Sequence, residues 1–275
     1  MPVKTDGSGN RYVEMIVEVP GTPEQVWHAI ATGPGMAAWF VPTDVEEREG
    51  GALTFHLGPG MDSPGIVTGW EPPRRFAYEE REWMEGAPPV ATEVIVETRS
   101  GDTCVIRMVH SLFTSSEEWD NQLESFESGW PSFFKILKLY LGHFPGQPAT
   151  SFRIMTAAPG TQEEAWDALA GGLGLAGATT GDHWSATAGA PALAGVVEQV
   201  GKVKDHHEAF LRLEKPAPGA AYVAAFTWGG KVQAMVSVYL YGEGVEDLAA
   251  REEPVWQEWW GERFPAPVEE TATAG

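Results

Sequence analysis

The chain has 275 residues, 43% of them hydrophobic and 11% aromatic, and a mean hydropathy of −0.20, which is enough apolar material for two cores of ordinary domain size. It carries 39 acidic against 18 basic residues, a net charge of −21, and both halves share the excess: 22 against 10 in residues 1–145 and 17 against 8 in residues 146–275. A field of that sign repels phosphate backbones and anionic headgroups, so neither nucleic acid nor a membrane surface is an expected partner.

In chain order, an alternating strand from Tyr12 to Val19 leads into a helix whose start is written by Thr22, Pro23 and Gln25: a capping box with proline at the first helical position. Short strands follow near residues 44–49, 52–57, 65–70, 75–83, 92–100 and 103–111. They are separated by Gly50-Gly51, Gly58-Pro59-Gly60, Pro72-Pro73, Pro88-Pro89 and Gly101-Asp102. Residues 116–141 then place Trp119, Leu123, Phe126, Trp130, Phe133, Phe134, Leu137 and Leu141 at spacings of three and four, the stripe of a long amphipathic helix. A glycine- and proline-containing linker from Gly142 to Ala149 follows.

The order then starts again. Pro20-Gly21-Thr22-Pro23-Glu24-Gln25-Val26-Trp27 recurs 139 residues later as Pro159-Gly160-Thr161-Gln162-Glu163-Glu164-Ala165-Trp166, after a strand from Ser151 to Ala157. Strands are expected near 183–187, 193–200, 208–213, 221–228 and 231–241, the last two joined at Gly229-Gly230. Each half closes with aromatic helical sequence running into Phe-Pro, at Phe144-Pro145 and Phe264-Pro265, and Pro254 should begin or kink the second of these helices. The expected fold is α+β: two tandem units, 1–146 and 147–275, each a curved antiparallel sheet around a long C-terminal helix.

The motifs of the first half are Val26-Trp27-His28-Ala29-Ile30, Trp39-Phe40-Val41-Pro42, Gly50-Gly51, Val67 through Pro72-Pro73-Arg74-Arg75-Phe76-Ala77-Tyr78, and Gly129-Trp130. In that order over residues 12–143 they resemble the SRPBCC (START-like, helix-grip) superfamily, and within it the branch of heat-shock-protein ATPase activator homologues. The arrangement is also similar to enediyne self-resistance proteins and to di-domain polyketide aromatase/cyclases. The resemblance implies a cavity between sheet and last helix. Residues 150–264 depart from it, because Gly171 to Gly177 stands where a Trp-Phe-x-Pro segment would be expected, and they are read as a degenerate second copy.

Within the implied cavity, Trp39, Phe55, Trp70, Tyr78, Trp119, Phe126 and Trp130 are candidate walls, with core filling as the plainer reading. His110 shares strand parity with Cys104, Ile106 and Met108, which directs the imidazole inward as a base or orienting donor, although Val105 and Val109 make the other face apolar as well. Glu80 shares parity with Phe76 and Tyr78, so its carboxylate either enters the cavity or belongs to a solvated run, Glu79 to Glu82. His56 is expected to face outward. Asp205-His206-His207-Glu208 reads as a polar turn, since neighbours on a strand point to opposite faces, and no metal is expected.

No cofactor is expected, because nucleotide-binding glycine motifs and a nucleophile elbow are absent from the sequence. Cys104 is the single cysteine, so an intramolecular disulfide is excluded. With no bilayer-length apolar run and no apolar leader segment, a cytoplasmic location is expected. The leading functional expectation is a protein that holds or sequesters a hydrophobic small molecule, such as a natural product, in self-resistance or biosynthesis. A cyclase/aromatase-type enzyme and an interaction protein that activates a chaperone ATPase are the alternatives.

Overall fold

The computed structural model describes residues 3–265 except 59, 85, 204 and 205, and of residues 125–127 the backbone alone. The chain divides into two compact units between Ala149 and Thr150.

Unit 1 contains β1 (Lys4–Thr5), β2 (Arg11–Pro20), α1 (Pro23–Ala31), α2 (Gly33–Ala37), β3 (Thr43–Val45), β4 (Ala52–His56), β5 (Asp62–Glu71), β6 (Arg75–Glu80), β7 (Val90–Thr98), β8 (Thr103–Leu112) and α3 (Asp120–His143). The strands form one antiparallel sheet in the order β1-β2-β8-β7-β6-β5-β4-β3. Only β2 leaves the meander, returning to pair with β8.

The register of this sheet follows from alternation. On β8, Cys104, Ile106, Met108, His110 and Leu112 are buried while the residues between them are partly exposed. A slip of one residue would exchange the two faces. Met15, Met108 and Val94 are opposed across β2, β8 and β7, as are Val13, His110 and Thr92. A bulge between Val67 and Gly69 interrupts the pairing of β5 with β6 and bends the strand.

Both bonds of the Thr22–Gln25 capping box are present. Thr32 ends α1 and starts α2 with one hydroxyl, which donates to the His28 carbonyl at 2.8 Å and accepts from the Gly35 amide at 3.1 Å. That junction is tight enough to require glycine: a Cβ on Gly35 would stand 1.9 Å from the His28 carbonyl oxygen. The predicted strand at 44–49 shortens to Thr43–Val45, because Glu46 to Gly51 turns back on itself through Glu46 N–H to Ala52 O and Arg48 N–H to Glu46 O. The predicted 116–141 helix begins instead as a 3-10 turn, Glu117–Trp119 capped by Ser116, so Trp119 lies ahead of the α3 stripe.

Unit 2 repeats the plan with fewer parts: β9 (Ala149–Ala157), α4 (Gln162–Leu173), β10 (His183–Ser185), β11 (Ala194–Val203), β12 (His206–Lys215), β13 (Gly219–Trp228), β14 (Lys231–Tyr241) and α5 (Val245–Arg263). Its sheet runs β10-β11-β12-β13-β14-β9, so again the first strand closes on the last. Both units are helix-grip folds. Pro254 lies inside α5.

The glycine-rich run 171–177 is a helix stop. Gly174 has φ +73°, its amide bonds back to Gly171, and the Leu175 amide reaches the Ala170 carbonyl at 2.7 Å, which satisfies the last carbonyls of α4. Leu175 then enters the core with Leu169 and Leu173.

Candidate functional site

A cavity of about 290 Å3 opens in unit 1 between the sheet and α3. Phe40, from the segment after α2, Phe55 on β4, and Trp130 and Phe133 on α3 supply aromatic walls, with Leu57, Trp83 and Val90 beside them. Gly129 also lines the cavity, leaving space on α3 that a larger side chain would occupy. Phe40 lies 4.9 Å from both Trp130 and Phe133 and 5.7 Å from Phe55, measured between ring centroids. A residual hollow of about 10 Å3 is lined by Trp39, Met36, Val94 and Met108, together with Phe40, Phe55, Tyr78 and Trp130.

Four polar side chains interrupt these walls: Ser63, Tyr78, Glu80 and His110. Alternation brings Tyr78 on β6, Thr92 on β7 and His110 on β8 into one cross-strand row. Thr92 Oγ1 is 2.8 Å from His110 Nδ1, and the Thr92 hydroxyl also interacts with the Tyr78 phenol. Burial lowers the His110 pKa to about 3, so the imidazole is neutral, and burial together with the nearby Glu80 charge raises the Tyr78 phenol. Glu80 Oε1 accepts a hydrogen bond from Ser63 Oγ, yet burial dominates and pushes its pKa up to about 7. Among the described residues the site therefore holds one carboxyl group able to gain or lose a proton near neutrality, beside a neutral histidine and a protonated tyrosine.

The predicted site residues separate into groups. Phe55, Tyr78, Glu80, His110 and Trp130 meet at the cavity. Trp39 and Met108 stand behind it in the smaller hollow. Trp70, paired across the strands with Phe76, packs 5.7 Å from it and 5.0 Å from Trp27 of α1, at the α1 end of the same face, and does not line the cavity. Trp119 makes an edge contact with Trp83 at 6.4 Å, and the side chain of Phe126 lies outside the described residues. Phe40, Leu57, Ser63, Trp83, Val90, Gly129 and Phe133 complete the lining. Of these, Phe133 was legible in the α3 stripe and Phe40 in the Trp-Phe-Val-Pro motif; Ser63 and Val90 become neighbours of Glu80 only through pairing of β5, β6 and β7.

His56 stands on the opposite face from Phe55, between Asp44 and Asp62 at 3.1 and 3.0 Å, and these partners raise its pKa. His207 stacks on Trp166 and His206 meets Phe226, whereas Asp205 lies outside the described residues. Among the described residues no group of three or more His, Cys, Asp or Glu side chains is placed to hold a metal. No described helix is long and apolar enough to cross a membrane. A further hollow of about 420 Å3 in unit 1 is lined by Pro23, Glu24, Pro73, Arg74 and residues 95–98, and no aromatic side chain contributes to it.

In unit 2 the space beneath the sheet is taken by the helix itself. Trp256, Trp259 and Trp260 of α5 are buried with Phe152 and Phe264 in one core. Trp256 and Trp259 meet edge to face at 5.7 Å, and the Arg263 guanidinium lies 4.0 Å over the Trp259 ring.

Residues 20–142 match the family model described as activator of Hsp90 ATPase homolog 1-like protein. The match lies within unit 1 and covers less than half of the chain. Among solved structures, the crystal structure of CalU16 from Micromonospora echinospora is 22% identical, covers 52% of this chain and 83% of its own, and gives a TM-score of 0.42. The di-domain ARO/CYC BexL from the BE-7585A biosynthetic pathway is 13% identical and covers 93% of this chain and 99% of its own at a TM-score of 0.45. DynU16, from the dynemicin biosynthetic locus, is 14% identical and covers 90% and 95% at 0.42. No curated protein sequence matches the chain. Outside the matched residues, unit 2 keeps one device of unit 1 in altered form. In unit 1, Trp39 Nε1–H donates to the Ala29 carbonyl in the last turn of α1 at 2.8 Å; in unit 2, Trp184 Nε1–H donates to the Leu173 carbonyl at the end of α4 at 2.9 Å.

Proposed function

We propose that unit 1 binds an apolar small molecule in the cavity under α3. The observation that carries this reading is the cavity itself: about 290 Å3, walled by Phe40, Phe55, Trp83, Trp130 and Phe133, with a few polar groups to orient an occupant. Its volume is near the lower limit of about 300 Å3 for small-molecule sites, and most of a fitting ligand's surface would be removed from water. Each buried methylene contributes about 0.8 kcal/mol, so affinity rests on enclosure and selectivity on the polar groups. In unit 2, Trp256, Trp259 and Trp260 fill the core instead. The test is native mass spectrometry of the whole chain with titration of a neutral apolar dye, N-phenyl-1-naphthylamine. Saturable binding that weakens in Phe40→Ala and Phe133→Ala supports the reading, and no saturable binding ends it.

One observation favours a second reading, an acid–base enzyme of the cyclase type. Glu80 titrates near neutrality inside the cavity, which is the property required of a general acid or base. Turnover of a poly-β-ketone surrogate that disappears in Glu80→Gln would favour catalysis over holding.

A further inference from the structure

The charge inventory of the cavity restricts the kind of molecule it can hold. Among the described residues its ionisable lining groups are Tyr78, Glu80 and His110, and neither lysine nor arginine lines it. The histidine is neutral and supplies no positive charge. The nearest arginine in sequence, Arg81, is exposed and bonded to Glu79. Glu80 is held by Ser63 alone among the described residues, a hydrogen bond that does not neutralise it.

A half-buried carboxylate beside aromatic rings and lacking a cation has three possible occupants beside it. An anionic ligand would meet a second negative charge in a partly desolvated site, which is unfavourable unless a proton is bound. A wholly neutral ligand leaves the carboxylate without a counter-charge. A cation compensates it and gains from the rings as well, since cations are attracted to the faces of aromatic side chains. Phe55 is paired across the strands with Ser63, and its ring lies 5.4 Å from that of Tyr78, so the carboxyl end of the cavity is bounded by aromatic rings. The net charge of −21 acts in the same direction at long range, raising the local concentration of cations and lowering that of anions.

We propose that the cavity selects hydrophobic ring systems bearing a protonated amine, with the ammonium group hydrogen-bonded to Glu80 beside the Phe55–Tyr78 ring pair and the ring system lying against Phe40, Trp130 and Phe133. This inference rests on the reading of unit 1 as a small-molecule site and adds the sign of the ligand's charge and the residue that reads it. It also gives Ser63 a role: its hydroxyl occupies one oxygen of Glu80 and leaves the other for the amine.

The experiment uses three probes built on one scaffold, so that shape is constant and charge varies: N-phenyl-1-naphthylamine, the same scaffold bearing an aminomethyl group, and its sulfonate. Each is titrated into the full chain and into Glu80→Gln and Glu80→Asp at pH 8 and moderate salt. The expected result for the native chain is that the ammonium probe binds about tenfold more tightly than the neutral one and the sulfonate least tightly. The ammonium-to-neutral ratio should fall about tenfold in Glu80→Gln and be partly kept in Glu80→Asp, where the charge remains. Taking the ratio within each variant separates recognition from any general change in the cavity. If the native chain binds the neutral and ammonium probes equally, the inference is overturned while the small-molecule reading stands. A preference that survives Glu80→Gln would assign the effect to the surface field and overturns it too. If no probe binds the native chain, both readings fall together.

Discussion

The imidazole of His110 lies nearly parallel to the indole of Trp130, with ring centroids 5.4 Å apart and planes 23° from coplanar. Sheet and helix therefore meet ring against ring at the cavity wall, and Trp130 continues the stack to Phe134 at 5.7 Å. Replacing Trp130 by alanine removes the shared member of both pairs. The expected cost is about 3 kcal/mol, the lower part of the range for losing a large aromatic side chain from a packed site, together with loss of apolar-dye binding. Chemical denaturation and a dye titration measure the two effects, and an unchanged midpoint would contradict the placement.

Glu80 and His110 act on stability with opposite sign as pH changes. Burial raises Glu80 to about 7, so between 4.5 and 7 the folded chain keeps a proton that the unfolded chain has lost, and this contribution falls as pH rises. Burial lowers His110 to about 3, so between 3 and 6.5 the unfolded chain holds a proton that the folded chain lacks, and stability rises with pH. The slopes oppose each other between 4.5 and 6.5. Glu80→Gln should leave the rising limb alone in that window and be more stable than the native chain at pH 8 by roughly 2–3 kcal/mol, since each tenfold change in proton affinity between folded and unfolded chains is worth about 1.4 kcal/mol. His110→Gln should show the falling limb instead. Midpoints in denaturant across pH 4 to 8 decide it, and parallel curves for all three proteins would refute the assignment.

The tryptophan bonds to the ends of α1 and α4 supply a matched pair of tests. Trp39→Phe leaves the Ala29 carbonyl without its indole donor and Trp184→Phe does the same to Leu173. Each buried carbonyl left unpaired costs about 1–3 kcal/mol. Equilibrium unfolding should show a loss of that size for each substitution, with little coupling in the double variant, because each bond lies within its own unit. Strong coupling would count against independent devices.

Gly35 tests the junction of α1 and α2. A methyl group there would stand 1.9 Å from a backbone oxygen, which a rotamer change cannot relieve. Gly35→Ala should destabilise unit 1 by roughly 1–3 kcal/mol, as overpacking does, and displace the segment that presents Trp39 and Phe40. Tryptophan fluorescence during denaturation reads both effects.

The legible parts of this protein were those written in neighbouring residues. The two capping boxes, the alternation of β8 that sets His110 beside Met108 and Cys104, and the turns between strands are all local features. What the sequence concealed depends on pairing at a distance. Ser63 reaches Glu80 because β5 and β6 run antiparallel, and Trp70 is drawn to the α1 end of the face by Trp27, neither of which has a local signature. The counterpart of Trp39 was hidden for another reason. Trp184 comes 11 residues after the carbonyl it binds and Trp39 comes 10 after its own, but Trp184 sits on a strand in a different local sequence.

Pro131 follows Trp130 inside α3. Proline has no amide hydrogen, so the helix lacks one rung at the turn that forms the cavity wall, and its ring crowds the preceding turn. The amino-terminal half of α3 is fastened at its far end, where the Arg11 guanidinium grips both carboxylate oxygens of Asp120. A helix pinned at one end and missing a rung in the middle has a built-in weak point between two stiff halves. The consequence is one of timing: escape of the ligand proposed for unit 1 should be governed by how often residues 120–129 part from the sheet. Amide exchange should step from fast to slow across Pro131, and Pro131→Ala should lengthen the residence time of a bound dye in stopped-flow displacement. Uniform exchange along α3 with an unchanged release rate would show that the ligand leaves by another route.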